Sequence, residues 1–264
     1  LIFDVVNEQA TPHLSMKDRL ILALFDLGIC TKDQLKTVSG WTENQVAGAI
    51  RRVRDAAGKG EGDKWIRSWQ PRQGKPFVFA LGPAGHAYAR DLRGEYNGGK
   101  NNVPPKGQVW HFVGLNEVLC RVIRSGLEVK SWLSGRESAS WLYHQLLIRD
   151  ESGKVSVPKT PLRPDAMMLV GNQWWMIEYD RGTETPMRLS EKFAKYLDLS
   201  LMLDLSEIPL LFVTVSDQRV NTAEWAFRRA LEAHQATWDK VFFMKEGQEV
   251  EFLRGWDPEN SGTK

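Results

Sequence analysis

Three carboxylates, Asp165, Glu178 and Asp180, stand where a short hairpin would gather them. The stretches 162–170 and 173–180 are both rich in apolar, aromatic and β-branched side chains, and Gly171-Asn172 lies between them. A glycine-asparagine pair between two such runs signals a tight antiparallel turn. Pairing about that turn sets Asp165 opposite the Glu178 end of the second strand, and Glu178 and Asp180, two residues apart, share one of its faces. Carboxylates about 5 Å apart repel by roughly 3 kcal/mol at an effective dielectric of about 20. A fold keeps such a group only if a proton, a cationic neighbour or a divalent metal relieves it. The chemistry expected is oxygen ligation of one Mg²⁺ or Mn²⁺ by Asp165 and Glu178, joined by Asp180. That metal would polarise a phosphodiester and activate water for in-line attack. The plainer alternative is that Asp180-Arg181-Gly182 ends a strand in a salt-bridged turn while Asp165 caps or pairs with Arg163.

The elements that must position these residues read as a mixed α/β pattern. A helix over 109–125 places His111, Leu115, Val118, Leu119 and Val122 on one face, so His111 reads as a core histidine rather than a base. Residues 128–133 read as a strand. Residues 136–160 read two ways, with a candidate helix at 137–147 and a turn at 150–153. After the hairpin, Pro186 sits early in a helix through Leu189, Phe193 and Leu197. The continuous apolar run 209–215 is expected to be a central, buried strand. A helix over 219–236 and a strand over 240–244 follow.

The N-terminal part has a different layout. An amphipathic helix at 15–28 ends at Gly28, and Thr31-Lys32-Asp33-Gln34 and Thr42-Glu43-Asn44-Gln45 are two capping boxes that open two further helices. The third helix buries Val46, Ile50, Val53 and Ala57 and turns Gln45, Gly48, Arg51, Arg52 and Asp55 outward, with Arg54 assignable to either face. Strands at 65–69 and 77–81 flank a tip carrying Arg72, Gly74 and Lys75, and a helix follows from Gly82. Helix-helix-helix-hairpin-helix is the pattern of a winged helix-turn-helix. It assigns Gln45, Arg51 and Arg52 to the major groove of double-stranded DNA or its flanking phosphates, and Arg72 and Lys75 to the backbone. Trp65 and Trp69 pack against the third helix or stack on a base. The alternative use of such a module is protein contact or dimerisation, and a symmetric DNA site would call for a homodimer. The expected domains are therefore 1–92, a Gly-, Asn- and Pro-rich linker 93–107, a second domain 108–256 and a flexible tail 257–264.

Composition narrows the classes. The net charge is only +2, so no global basic field is present, yet residues 43–75 carry eight Lys or Arg against four acids. The two cysteines, Cys30 and Cys120, occupy apolar helical contexts in separate halves, and the five histidines lack metal-ligand spacing. That pattern implies reduced thiols in a cytoplasmic protein with no disulfide or zinc framework. No apolar run reaches the length of a membrane span and no signal peptide is recognised, so no membrane partner is expected.

Helix, three strands, helix, strand, with an acid on the second strand and more on the third, resembles the core of the restriction-endonuclease-like nucleases. Pro164-Asp165 looks like the leading aspartate of that superfamily and Glu178 like its second acid. Asp180 stands where a lysine is usual, and Lys192 on the following helix is similar to the migrated lysine of some members. In the metal reading Lys192 would stabilise charge on the phosphate or orient water, and Arg181 and Lys195 are candidates for phosphate contacts. The chain also resembles the replication-relaxation family of plasmid and mobile-element proteins. The matching pieces are the N-terminal winged helix, His111 through Asn116-Glu117, Arg163-Pro164-Asp165-Ala166, the string from Glu178 to Glu184, and Lys192 with Tyr196. This implies a DNA-binding role in replication or copy-number control. The second domain is then either a Mg- or Mn-dependent endodeoxyribonuclease that nicks DNA, or a degenerate relative that only binds.

Overall fold

The computed structural model describes residues 14–94, 106–149, 162–202 and 208–256 of a mixed α/β chain that divides into two compact units. The first unit takes in 1–124 and 129–131, the second 125–128 and 132–264. Most of the expected linker and all of the expected tail lie outside the described residues.

In the first unit, α1 (Met16–Leu27), β1 (Ile29–Thr31), α2 (Lys32–Ser39) and α3 (Glu43–Ala56) are followed by α4 (Gly62–Trp65), β2 (Ile66–Trp69), β3 (Val78–Leu81), α5 (Pro83–Leu92) and α6 (Val109–Arg124). Ser15, Thr31 and Thr42 each close a capping box with the residue three places on, which satisfies N–H groups that the first helical turn leaves orphaned. The three short strands form an antiparallel sheet ordered β1-β3-β2. Two short elements, β1 and α4, depart from the expected pattern, and Trp65 belongs to α4 rather than to a strand. Trp65 packs beside Tyr88 under the Lys17 ammonium, and Trp69 packs on Ile29, Val78, Ala80 and Val109.

The helix α6, expected from the sequence to open the second domain, groups with the first unit. The reason is specific polar chemistry at its inner face. Asn116 is 1 % exposed and donates from Nδ2 to the carbonyls of Leu27 (2.9 Å) and Ile29 (3.0 Å). Gln34 Nε2 donates to the Val113 carbonyl at 2.7 Å. Gly28, at φ +68°, lets the chain pass under Phe112, where a Cβ would come within 2.7 Å of the ring.

A five-stranded sheet is ordered β4 (Val129–Ser134), β5 (Ala166–Val170), β6 (Gln173–Asp180), β7 (Leu210–Thr214) and β8 (Val241–Lys245), and all of it but the first three residues of β4 belongs to the second unit. β5 and β6 pair antiparallel about Gly171-Asn172, whereas β6, β7 and β8 run parallel. The helices are α7 (Gly135–Arg149), α8 (Pro186–Met202), α9 (Asp217–His234) and α10 (Glu249–Gly255). Met176, Phe193, Tyr196, Phe212 and Phe227 share a core beneath α8 and α9, and Trp175 meets Phe242, Phe252 and Trp256 in a second aromatic cluster. The ambiguous segment is helical through Arg149, and α10 is an addition to the expected elements. Trp225 is exposed, with Arg229 over its ring.

Replacing Asn116 with Ala would leave two buried carbonyls without their donor. Chemical denaturation is expected to show a loss of about 1–3 kcal/mol; a loss under about 0.5 kcal/mol, the size of a neutral surface change, would contradict the role given to this side chain.

Candidate functional site

The β5–β6 register pairs Ala166 with Ile177, so Asp165 falls just beyond the ladder beside Glu178, as the turn requires. Gly135 at the start of α7 lies against this point, and a Cβ there would come within 2.8 Å of the Pro164 carbonyl. Asp165 is half-buried, and its Oδ2 accepts from the Tyr179 N–H at 2.9 Å. The period-2 alternation of β6 sends Trp175 and Tyr179 to one face and Met176, Glu178 and Asp180 to the other, toward α8 and α9. Tyr179 reaches Glu246 with its hydroxyl at 2.9 Å.

Glu178 is 1 % exposed in the central strand. Its Oε2 accepts from Lys192 Nζ at 2.9 Å and its Oε1 from the Tyr196 hydroxyl at 2.5 Å. Lys192 and Tyr196 are one helical turn apart, hence on one face of α8. Lys192 also lies 3.7 Å from Glu184 Oε1. Burial first, and then the nearby Asp165 charge, push the Glu178 carboxyl up to about 8, against the partial opposition of Lys192 and Tyr196. Burial works to lower the Lys192 ammonium, but Glu178, Asp165 and Glu184 outweigh it and hold this group above its ordinary value. The Tyr196 phenol is likewise raised by burial and by Glu178.

Asp180 is held differently. Its Oδ2 accepts from Arg219 Nε of α9 and its Oδ1 from the Gly182 N–H at 3.0 Å, while Arg219 Nη2 donates to the Glu184 carbonyl at 2.7 Å. Asp180-Arg181-Gly182 is therefore a salt-bridged turn at the strand end. Among the described residues no group of three or more His, Cys, Asp or Glu side chains is arranged to hold a metal ion. Asp165 and Glu178 are hard oxygen donors of the kind Mg²⁺ and Mn²⁺ take. Asp180 does not join them, and a cation at Glu178 would first have to displace Lys192 or Tyr196. The donor set does not fit the three-carboxylate centre expected from the sequence.

Arg181 is half-buried and Lys195 exposed. Arg219 and Tyr196 are the residues that sequence patterning leaves without a role at the site. Tyr196 lies on the apolar stripe of α8 and reads as core. Arg219 opens α9 three residues after its Ser216 cap, a position no local pattern ties to Asp180.

On α3 of the first unit, Arg51 and Arg52 are exposed, as are Arg72 and Lys75 between β2 and β3. Gln45 is exposed too, but its Oε1 accepts from the Thr42 N–H at 2.8 Å, so its side-chain oxygen is engaged in the helix cap. Arg54 donates to the Ile66 carbonyl (3.0 Å) and Ser68 Oγ (2.9 Å), which binds α3 to β2 and removes it from the outer face. Cys30 and Cys120 are buried free thiols, Cys30 raised well above its ordinary value and Cys120 to about 12, both chiefly by burial. His111 is half-buried.

The sequence pattern of replication-relaxation proteins matches residues 23–204, more than half of the chain. The chain belongs to the replication-relaxation family. No curated protein and no solved structure matches it. Family membership associates this replication-relaxation protein with the replication of plasmids and mobile elements, and the matched span includes Asp165, Glu178, Asp180, Lys192 and Tyr196 while ending before Arg219. No helix among its described residues is long and apolar enough to cross a membrane.

Because the Glu178 carboxyl is raised from 4.5 to about 8 in the folded chain, the folded state holds more protons than the unfolded one across that window. Its stability contribution is complete below the unfolded value and is lost as pH rises through the folded one. Relative to Glu178→Gln, the wild type is expected to lose stability between these limits, by at most about 1.4 kcal/mol per pH unit. Parallel stability profiles for the two proteins would contradict the assignment.

Proposed function

We propose that this protein is a double-stranded-DNA-binding factor acting in the replication of a plasmid or mobile element, with the first unit as a winged helix. The order α1-β1-α2-α3-α4-β2-β3-α5, with an antiparallel β1-β3-β2 sheet, supports that reading. The observation that carries it is the set of four exposed cations, Arg51 and Arg52 on α3 and Arg72 and Lys75 on the hairpin. None of them has an ion pair among the described residues. Uncompensated cations on a helix and a neighbouring hairpin suit one helix in the major groove with a wing on the phosphates. A two-fold symmetric DNA site would take two copies of the chain. Fluorescence anisotropy over a salt series tests this. Arg51→Ala with Arg52→Ala is expected to weaken binding and reduce the salt slope by roughly 2, about 0.9 for each phosphate no longer neutralised. An unchanged slope would place the DNA elsewhere.

For the second unit, β5-β6 antiparallel, β6-α8-β7 parallel and acids at the end of both hairpin strands support a restriction-endonuclease-like core. The binding role is the favoured reading, because protein cations already occupy Glu178 and Asp180. One observation favours the enzyme as a second reading: Asp165, Glu178 and Lys192 stand close enough to shift one another's protonation. In that reading Asp165 and Glu178 would hold Mg²⁺ or Mn²⁺, which supplies Lewis-acid chemistry to the phosphodiester. Supercoiled plasmid incubated with protein and Mn²⁺ is expected to be retarded on a gel without nicking. Nicking that vanishes in Asp165→Ala would establish the enzyme instead.

A further inference from the structure

A cleft of about 330 Å³ opens beside α3. Its apolar lining is Ala47, Ile50 and Phe79, and Lys32, Arg51 and Arg54 stand around it with Asp55 as the one acid. Lys32 is paired with Glu43 at 3.0 Å, and Arg54 is tied to β2, so Arg51 is the cation at the cleft without an ion pair among the described residues. The β2–β3 register sets Phe79 opposite Ser68, the residue Arg54 grips, which fixes the α3-facing side of the small sheet. Phe77 precedes β3 by one residue and stands two residues from Phe79 of the cleft lining. It is 54 % exposed, two residues from Lys75.

An exposed aromatic ring two residues from a lysine and two from the aromatic wall of a cleft with an apolar lining has the makings of a stacking platform for nucleic acid. Every base presents a π-face, and the phosphate beside it needs a cation. The cleft has the volume of a small-ligand site, far too little for a helix or strand of a partner protein. Minor-groove proteins use aliphatic and aromatic wedges of this kind to part base steps.

Resting on the DNA-binding reading above, we propose that Phe77 and Phe79, with Arg51, form a site for an unpaired nucleotide of DNA. The base stacks on Phe77 at the mouth of the cleft, and its phosphate meets Arg51. The first unit would then hold a locally opened strand as well as a duplex, a capacity that the start of replication requires.

The whole protein, wild type, Phe77→Ala and Phe77→Trp, is titrated into a fluorescent single-stranded oligonucleotide, an abasic version of it, and a duplex carrying 2-aminopurine. Wild type is expected to bind the single strand, to prefer it to the abasic chain, and to raise 2-aminopurine emission in the duplex. Phe77→Ala weakens the single-strand complex about tenfold and abolishes the emission change while duplex affinity stays within about twofold; Phe77→Trp restores both. Duplex binding with no effect of Phe77→Ala on single strands or emission overturns this site alone, as does equal binding of the abasic chain. Failure to bind any of the three overturns the DNA-binding reading along with it.

Discussion

A carboxylate buried in the middle strand of a sheet has to be offset from within the protein, and that requirement organises the second unit. Glu178 is nearly inaccessible to water in β6, the central strand. Its two oxygens are met by Lys192 and Tyr196, which α8 presents one turn apart. The same helix joins β6 to β7, and a parallel pair needs such a crossover lying over one face of the sheet. The connection that makes the sheet parallel therefore also delivers the cation. Removing one partner of a buried pair typically costs about 3–5 kcal/mol because the other charge is left uncompensated. Asp180 repeats the arrangement with Arg219 of α9, the next helix over the same face.

Three sources of charge relief are open in the sequence, a proton, a cationic neighbour and a metal; the structure supplies cationic neighbours at Glu178 and Asp180, and burial favours a proton on Glu178. This changes the chemical meaning of the three acids. They are not one cluster: Asp165 lies beside Glu178, while Asp180 is drawn off into its own turn. In the nuclease-like reading proposed for this unit, the lysine closes onto the acid. Family membership covers this region and is compatible with either a working or a silent site.

Much of this geometry is legible in the sequence because it is set by short-range rules. Gly171-Asn172 fixes the hairpin register, and with it the faces of Glu178 and Asp180. Thr31 and Thr42 announce their helices because a hydroxyl and an amide three residues apart satisfy each other's backbone donors. What escapes depends on distant contacts or on lengths too short to show a period. β1 has three residues, all buried, and so no alternation. The membership of α6 turns on Asn116 reaching two carbonyls nearly ninety residues away in sequence. Arg219 is thirty-nine residues from Asp180, and nothing between them marks the pair. Arg54 fits either face of α3 until β2 supplies its acceptors.

The central claim is that Lys192 and Tyr196, rather than a metal ion from solution, hold the Glu178 carboxyl beside Asp165. Mn²⁺ titration followed by electron paramagnetic resonance tests it directly. Wild type is expected to show no stoichiometric Mn²⁺ that depends on Asp165, whereas Lys192→Ala, which frees one Glu178 oxygen, gains one. A single tightly held Mn²⁺ in the wild type, lost in both Asp165→Ala and Glu178→Gln, would contradict the account.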